Sequence, residues 1–311
     1  MAAPGPRIRA FTWADLPALA RLRAEPEGHE GDPAPDSMQR LRRDLSDPAL
    51  DAERDVLLAF KGDALVGQAT LNVEPAIDRI VLGMTAHRKH GPRGVQAALA
   101  RGAAARARDL GLARLQVDVP EADEVLQRLL TRLRFGHVRT HLHLRRPPLA
   151  RVPVEVRPPN ERTRLATQQD APAIAALQNA AFTGSWGFSP NTPEHIAYRA
   201  FERAPDPPDA IVLVERDDVL VAYCWTRPGI GGAPGFIGMV GTHPALQGQG
   251  LGTVATAAGV NHLVDHGSRE IDITVDSENP PAIRVYERLG FRRAWRALWY
   301  ERRFSGAPRR A

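Results

Sequence analysis

The chain has 311 residues, 43% hydrophobic and 25% charged, with Cys224 its only cysteine; this is the balance of two soluble globular domains and excludes a disordered tail, an internal disulfide and a multi-cysteine zinc site. The net charge is +5, but Lys61 and Lys89 are the only lysines and the arginines are interleaved with Asp and Glu, which reads as a solvated surface with a mild attraction for polyanionic small molecules rather than a nucleic-acid footprint. No apolar run reaches the ~18 residues that cross a bilayer and residues 1–13 lack a secretory apolar stretch, so the expectation is a cytoplasmic protein with no metal, nucleic-acid or membrane partner.

In chain order, the first elements already carry an internal repeat. Arg9, Asp15, Pro17 and Leu22 recur as Arg164, Asp170, Pro172 and Leu177 at an offset of 155. Residues 57–66 (LLAFKGDALV) answer residues 212–221 (VLVERDDVLV) at the same offset, and Arg132-Leu-Arg-Phe135 answers Arg288-Leu-Gly-Phe291 at 156. Two copies of one fold are expected. Copy one spans residues 1–146 and closes on the alternating strand His141-Leu-His-Leu-Arg-Arg146. Residues 147–161 hold five prolines and read as a stiff linker. Copy two spans residues 162–311.

Within copy two, Asp170 caps a helix to about residue 181, with Pro172 in its first turn. Residues 211–214 and 219–225 form strands about a Glu-Arg-Asp-Asp turn, and 236–242 form a third. Residues 250–266 are helical, 271–275 alternate as a strand, and 280–289 form a short helix capped by Asn279 and ended by Gly290. Strands mixed with helices give an α/β or α+β domain.

The sharpest segment is Val240-Gly-Thr-His-Pro-Ala-Leu-Gln247-Gly-Gln-Gly250-Leu-Gly252-Thr253. A strand runs into a glycine-rich loop, and a helix opens from it. Outward-turned amides and the positive end of the helix form a cradle for phosphates. A Walker A loop would need a lysine here, and none is near. A dinucleotide fingerprint is only partial, since Thr253 stands at the third glycine and the motif comes late in its domain. Coenzyme A is the third candidate.

A second motif follows: Asn279-x-x-Ala282-x-x-x-Tyr286-x-x-x-Gly290-Phe291. The two motifs in this order resemble the GNAT (Gcn5-related) N-acetyltransferases, over residues 164–303 and more weakly over copy one, as in tandem-GNAT proteins of the mycothiol synthase type. The resemblance implies two tandem GNAT folds, each a mixed, mostly antiparallel sheet flanked by helices, with acetyl-CoA as co-substrate and a small-molecule amine as acceptor. Backbone groups of Val240, Gly241 and Thr242 would pair with the pantetheine arm. Amides of Gln247, Gly248, Gln249, Gly250, Leu251, Gly252 and Thr253 would hold the pyrophosphate. Asn279 would bond the arm, Ala282 would leave room for it, and Tyr286 would reach the thioester sulfur. A phenol near pKa 10 and a thiol near 8.5 are close enough for that exchange.

The acceptor side would be overhung by the loop carrying Trp186 and Phe188, which read either as acceptor contacts or as a plug beneath the loop. Tyr223 and Trp225 share a strand face and read either as pocket lining or as core. Cys224 faces the other way. The strand 236–242 lacks the glutamate many GNATs carry, and Phe236 falls where the mycothiol enzymes hold an acidic residue. Asp272, Asp276 and Glu278 are nearby carboxylates, none assigned as base. In copy one, Arg93 replaces the central glycine of the loop, Pro92 removes an amide, and Asp123, Leu126, Leu130 and Arg134 replace the second motif. Copy one is expected to be structural, or to bind coenzyme A without catalysis. The leading expectation is an N-acyltransferase acting through a ternary complex. The alternatives are a non-catalytic CoA-binding sensor and a mycothiol-synthase-like enzyme acting on a cysteinyl pseudo-disaccharide. Acyl length and oligomeric state are left open.

Overall fold

The computed structural model describes residues 5–24, 35–147, 151–153, 160–203, 208–229 and 232–304. Each copy opens with the same turn. Arg9 clamps Asp15 through two hydrogen bonds of 2.7 and 2.6 Å, and Thr12 donates its amide to Asp15 at 2.9 Å. Arg164, Asp170 and Thr167 repeat this at 2.8, 2.7 and 2.8 Å. Charge-assisted, bidentate bonds of this kind fix the angle at which the first helix leaves the first strand. The Arg9 guanidinium holds the Asp15 carboxyl down to about 2.

The first copy contributes β1 (Arg7–Ala10), α1 (Leu16–Ala24), α2 (Pro35–Leu45), α3 (Ala52–Asp55), β2 (Val56–Lys61), β3 (Ala64–Glu74), β4 (Arg79–Ala86), α4 (Pro92–Asp109), β5 (Arg114–Pro120), α5 (Glu124–Arg132) and β6 (Gly136–Arg146). The second contributes β7 (Glu161–Leu165), α6 (Ala171–Phe182), α7 (Pro193–Ala197), β8 (Ala210–Arg216), β9 (Val219–Arg227), β10 (Gly235–Thr242), α8 (Leu251–Asp265), β11 (Ile271–Asp276), α9 (Pro280–Arg288) and β12 (Arg292–Arg303). The sequence expectations hold to within a few residues at each end.

In the first unit β1, β2, β3 and β4 are antiparallel neighbours, and β5 joins β4 in parallel through only three register pairs, Arg79 to Val81 against Arg114 to Gln116. Val66, Ala69, Leu71, Ile80 and Leu82 bury one sheet face against Val95, Leu99 and Ala103 of α4. Leu16, Leu19, Leu41 and Leu45 of α1 and α2 cover Val56, Leu58 and Phe60 on the other. Each fully buried leucine contributes roughly 1.5–3 kcal/mol.

The second unit repeats the plan. β7, β8, β9 and β10 are antiparallel, and β11 joins β10 in parallel only at Gly235, Phe236 and Ile237. Val260, Leu263 and Ala255 of α8 pack on Cys224, Ile237 and Ile273. Ile174 and Leu177 of α6, with Ile196 of α7, pack on Leu213, Tyr223 and Trp225 of the opposite face.

The compact units are Met1–Arg139 with Leu298–Ala311, and Thr140–Ala297, so they differ from the expected division at 146 and 162. The reason is the hydrogen-bond ladder. Residues 141–146 of β6 pair antiparallel with β11 from Asp276↔His141 to Ile271↔Arg146, within the second unit. In the first unit the end of β12 lies beside β5, and Glu301 accepts from Gln116 there at 2.6 Å. Each unit is thus completed by the last strand of the other copy. Of the expected proline linker, residues 148–150 and 154–159 lie outside the described residues. Arg151 and Val152 bond Asp265 and Asn261 of α8.

Candidate active site

The splay between β10 and β11 follows from their short ladder. Beyond Ile237, Val240, Gly241 and Thr242 pair with β9 but have no register partner on β11. The chain then turns at His243, whose Nδ1 accepts the Ala245 amide, and enters the glycine loop. Gly248 and Gly250 have φ of 81° and 82°, a left-handed conformation that glycine adopts without Cβ strain. Gly250 is the N-cap of α8. The Gln247 amide is already engaged, donating to Pro244 at 3.4 Å. The amides of Gly248, Gln249, Gly250, Leu251, Gly252 and Thr253 have no hydrogen-bond partner among the described residues. They fit a pyrophosphate in number and in polarity. The Gln249 side chain turns away to Arg216, at 2.7 Å.

Across the splay, the Oδ1 of Asn279 accepts the Ala282 amide at 3.2 Å and so caps α9, leaving the Nδ2 donors available to a ligand. Ala282 is half-buried. Tyr286, one turn further on, is 8% exposed and meets Phe291 edge-on at 6.0 Å. Burial, with Cys224 nearby, pushes the Tyr286 phenol well above its usual pKa, so it stands protonated at neutral pH as a donor. Cys224 is fully buried and its thiol is likewise pushed up by burial; it is a core residue.

On the acceptor side, Asn179 of α6 exchanges hydrogen bonds with the backbone of Asn191 at 2.9 Å each way, which ties down the ends of the intervening loop. Phe188 stacks on Phe182 at 5.5 Å, and Trp186 meets His141 edge-on at 5.7 Å. Both aromatics are half-buried. Trp225 is core: 6% exposed, with its indole N–H on Asp209 at 3.1 Å. Tyr223 is also enclosed, yet its hydroxyl has no partner. Both rings pack against α6 and α7. Asp272 is bound by Arg145 through two 2.7 Å bonds, and Asp276 accepts the Glu278 amide. Sequence reasoning passed over Gln178 of α6 and His141 of β6. A polar residue in an alanine-rich helix and an alternating strand gave no motif to mark them.

The corresponding region of the first unit is built differently. Arg93 places one guanidinium nitrogen 2.7 Å from Asp123 and the other 2.8 Å from Gln96, and Asp123 also caps α5 through the Leu126 amide. An ion pair therefore spans the loop and the helix where the second unit offers glycine and asparagine. Beside it, the splay of β4 and β5 opens a cavity of about 360 Å3 lined by Gln68, Thr85, Gln96 and Asp118.

A half-splayed sheet with an amide loop opening onto a helix defines an acetyltransferase-type fold. Solved structures of that fold match nearly the whole chain: a tandem GNAT protein from the clavulanic acid biosynthesis pathway, at 17% identity, covers 96% of this chain and 98% of its own with a TM-score of 0.74. A GCN5-related N-acetyltransferase from Sphaerobacter thermophilus, at 21% identity, covers 96% and 95% with a TM-score of 0.69. The Acetyltransferase (GNAT) family model matches residues 171–291. A mycothiol acetyltransferase from Streptomyces coelicolor is 30% identical over 280 residues, 88% of this chain and 87% of that protein. One from Arthrobacter sp. is 36% identical over 129 residues, and there the match spans 40% of each chain. This chain belongs to the GNAT acetyltransferase family, in tandem form. Among the described residues no helix is long and apolar enough to cross a membrane and no group of three metal-ligating side chains occurs.

Proposed function

We propose that the protein is an N-acetyltransferase that moves an acetyl group from acetyl-CoA to the primary amine of a small molecule, with the active site in the second unit. The observation that carries this is the row of unpartnered amides at residues 248–253, facing α9 across a strand pair that has already separated. Acetyl-CoA supplies the activated acyl group as a thioester. The loop amides and the positive end of α8 bind its phosphates, each end contact contributing roughly 0.3–1 kcal/mol when exposed and up to about 2 when partly buried. The unpaired edge of β10 orients the pantetheine arm, and a β10 N–H polarises the acyl oxygen.

The amine forms its bond to the acyl carbon directly, and the C–S bond breaks. Tyr286 donates its phenolic proton, as a hydrogen bond or outright, to the sulfur that departs. β10 holds no carboxylate to take a proton from the attacking amine, so the amine enters neutral and the proton its nitrogen sheds as the amide forms passes to water. The relatives named mycothiol acetyltransferase support an amine acceptor of modest size. Phe236 stands where an acidic substrate contact is expected in those enzymes, so the acceptor here differs from theirs near that strand.

Titration calorimetry with acetyl-CoA, followed by a screen of primary amines read by thiol release, tests the proposal. Binding with amine-dependent thiol release is the expected result. Tight binding without thiol release from any amine would make the protein a CoA-responsive binding module instead.

A further inference from the structure

The cavity of the first unit, about 360 Å3, has two kinds of wall. Gln68 and Thr70 alternate with Ala69 and Leu71 of the α4-facing core, and Thr85 alternates with Met84 and Ala86, so these three polar residues stand on the α1 side of the sheet. On the α4 side the walls are Leu82, Val117 and Leu126, with Gln96 of α4 among them. Beyond Val81 the strand β4 has no register partner on β5, so its edge opens into the space. Both glutamines are held by an arginine through the carbonyl end: Arg23 donates to Gln68 Oε1 at 3.0 Å, and Arg93 donates to Gln96 Oε1 at 2.8 Å. A guanidinium can only donate, so each amide is fixed with its oxygen on the arginine and its NH2 turned elsewhere. Neither Nε2 has a partner among the described residues, although Gln68 is only 6% exposed. Buried polar groups in native proteins are almost always satisfied, so two such donors on one cavity call for a ligand that accepts from them. The phosphate end is closed. The Lys89 and His90 amides turn back onto His87 at 3.1 and 3.3 Å, and the Gly94 amide turns onto Gly91 at 3.1 Å. Pro92 has no amide hydrogen, and Arg93 is tied to Asp123, so no row of amides like that at residues 248–253 is on offer.

We infer that this cleft is a second binding site that takes no coenzyme A, and that its ligand is a short, uncharged, peptide-like amide lying extended along β4. Two carbonyl oxygens of such a ligand, one on each side of the sheet, accept from Gln68 Nε2 and Gln96 Nε2. Its own N–H and C=O groups meet the open edge of β4 as an added strand does. Its small side chains lie on Leu82, Val117 and Leu126. The volume is at the low end for ligand pockets, which run from about 300 to 1,000 Å3, and so admits a short chain. Asp118 is also part of the wall and repels a free carboxylate on the ligand. Arg93 thus has two effects: its bond to Asp123 closes the phosphate end, and its bond to Gln96 aims a donor at the cleft. The assignment needs no reaction in the first unit and is independent of the acyltransfer reading of the second.

The test is titration calorimetry of the intact chain with N-acetyl-alanyl-alaninamide, with and without saturating acetyl-CoA. One saturable site per chain is expected under both conditions, and N-acetyl-alanyl-alanine, which adds a carboxylate, should bind more weakly. Gln68→Glu and Gln96→Glu keep the side-chain shape and give each arginine a carboxylate to bond, so Tm should hold or rise. Each replaces the donor facing the cleft by an acceptor, and affinity for the amide should fall about tenfold or more in either variant. The acetyl-CoA dissociation constant should stay within about twofold of wild type in both. Absence of saturable amide binding at any soluble concentration overturns the assignment, as does binding indifferent to both substitutions. Amide binding that vanishes when acetyl-CoA saturates also overturns it, since the amide then occupies the second unit. So does a second molecule of acetyl-CoA per chain that is lost in Gln68→Glu, which makes the cleft a coenzyme site.

Discussion

The Tyr286 carbonyl accepts the Leu289 and Phe291 amides, while burial keeps its phenol protonated. Tyr286→Phe retains the edge contact with Phe291 and deletes only the donor. Turnover should fall about 10²–10³-fold, the scale of one general-acid or oxyanion-type contact, while acetyl-CoA affinity and Tm stay near wild type; turnover within threefold of wild type would remove the phenol from the chemistry. A second single-residue effect concerns His143, stacked on Trp295 at 3.4 Å. Burial, with His141 beside it, depresses its pKa to about 4, against about 6.5 in an unfolded chain. Between those values the unfolded state binds a proton that the native state does not, so stability is full above about pH 6.5 and declines as pH falls toward 4. Denaturant unfolding at pH 7 and pH 5 should show that decline, and His143→Gln should flatten it. Tyr286 was legible because a spaced motif surrounds it. Gln178 was not, because only the unmet hydrogen bond of its folded environment distinguishes it from any other buried polar side chain.

At the scale of elements, the glycine loop and its helix act together. Gly250 begins α8 in a left-handed conformation, and Gly250→Ala should cost about 1–2 kcal/mol of stability in denaturant unfolding. The same change should weaken acetyl-CoA binding several-fold, since the first turn of α8 then presents its amides at a different angle. An unchanged midpoint would mean that the loop tolerates a side chain there. The repeat was legible at this scale because its hydrogen bonds are written in local sequence. Arg9 and Asp15 reappear as Arg164 and Asp170, and the Asp123 cap reappears as the Asn279 cap. Arg93 was legible as a lost glycine, but its ion pair to Asp123 depends on how far α5 stands from the loop, which spacing along the chain does not encode.

For the whole molecule, sequence order misleads about which strand completes which unit. The alternation of residues 141–146 identifies a strand with one apolar face; nothing in it selects β11 as the neighbour. A fragment of residues 162–311 lacks that strand and exposes an edge of β11, the kind of open edge that promotes aggregation. Alone it should aggregate or unfold without a cooperative transition, and co-expression with residues 1–161 should restore a soluble, cooperatively unfolding complex. A cooperative transition for the lone fragment, within a few degrees of the intact chain, would contradict the exchange. The two units also differ in what their splayed sheets offer, free amides in one and an internal ion pair in the other. Titration of acetyl-CoA into the intact chain, into Gly250→Ala and into Arg93→Ala reads that difference most directly. One site per chain, weakened by the glycine change and untouched by the arginine change, is the result predicted. Two equal sites, or a single site lost with Arg93 and indifferent to Gly250, would contradict it.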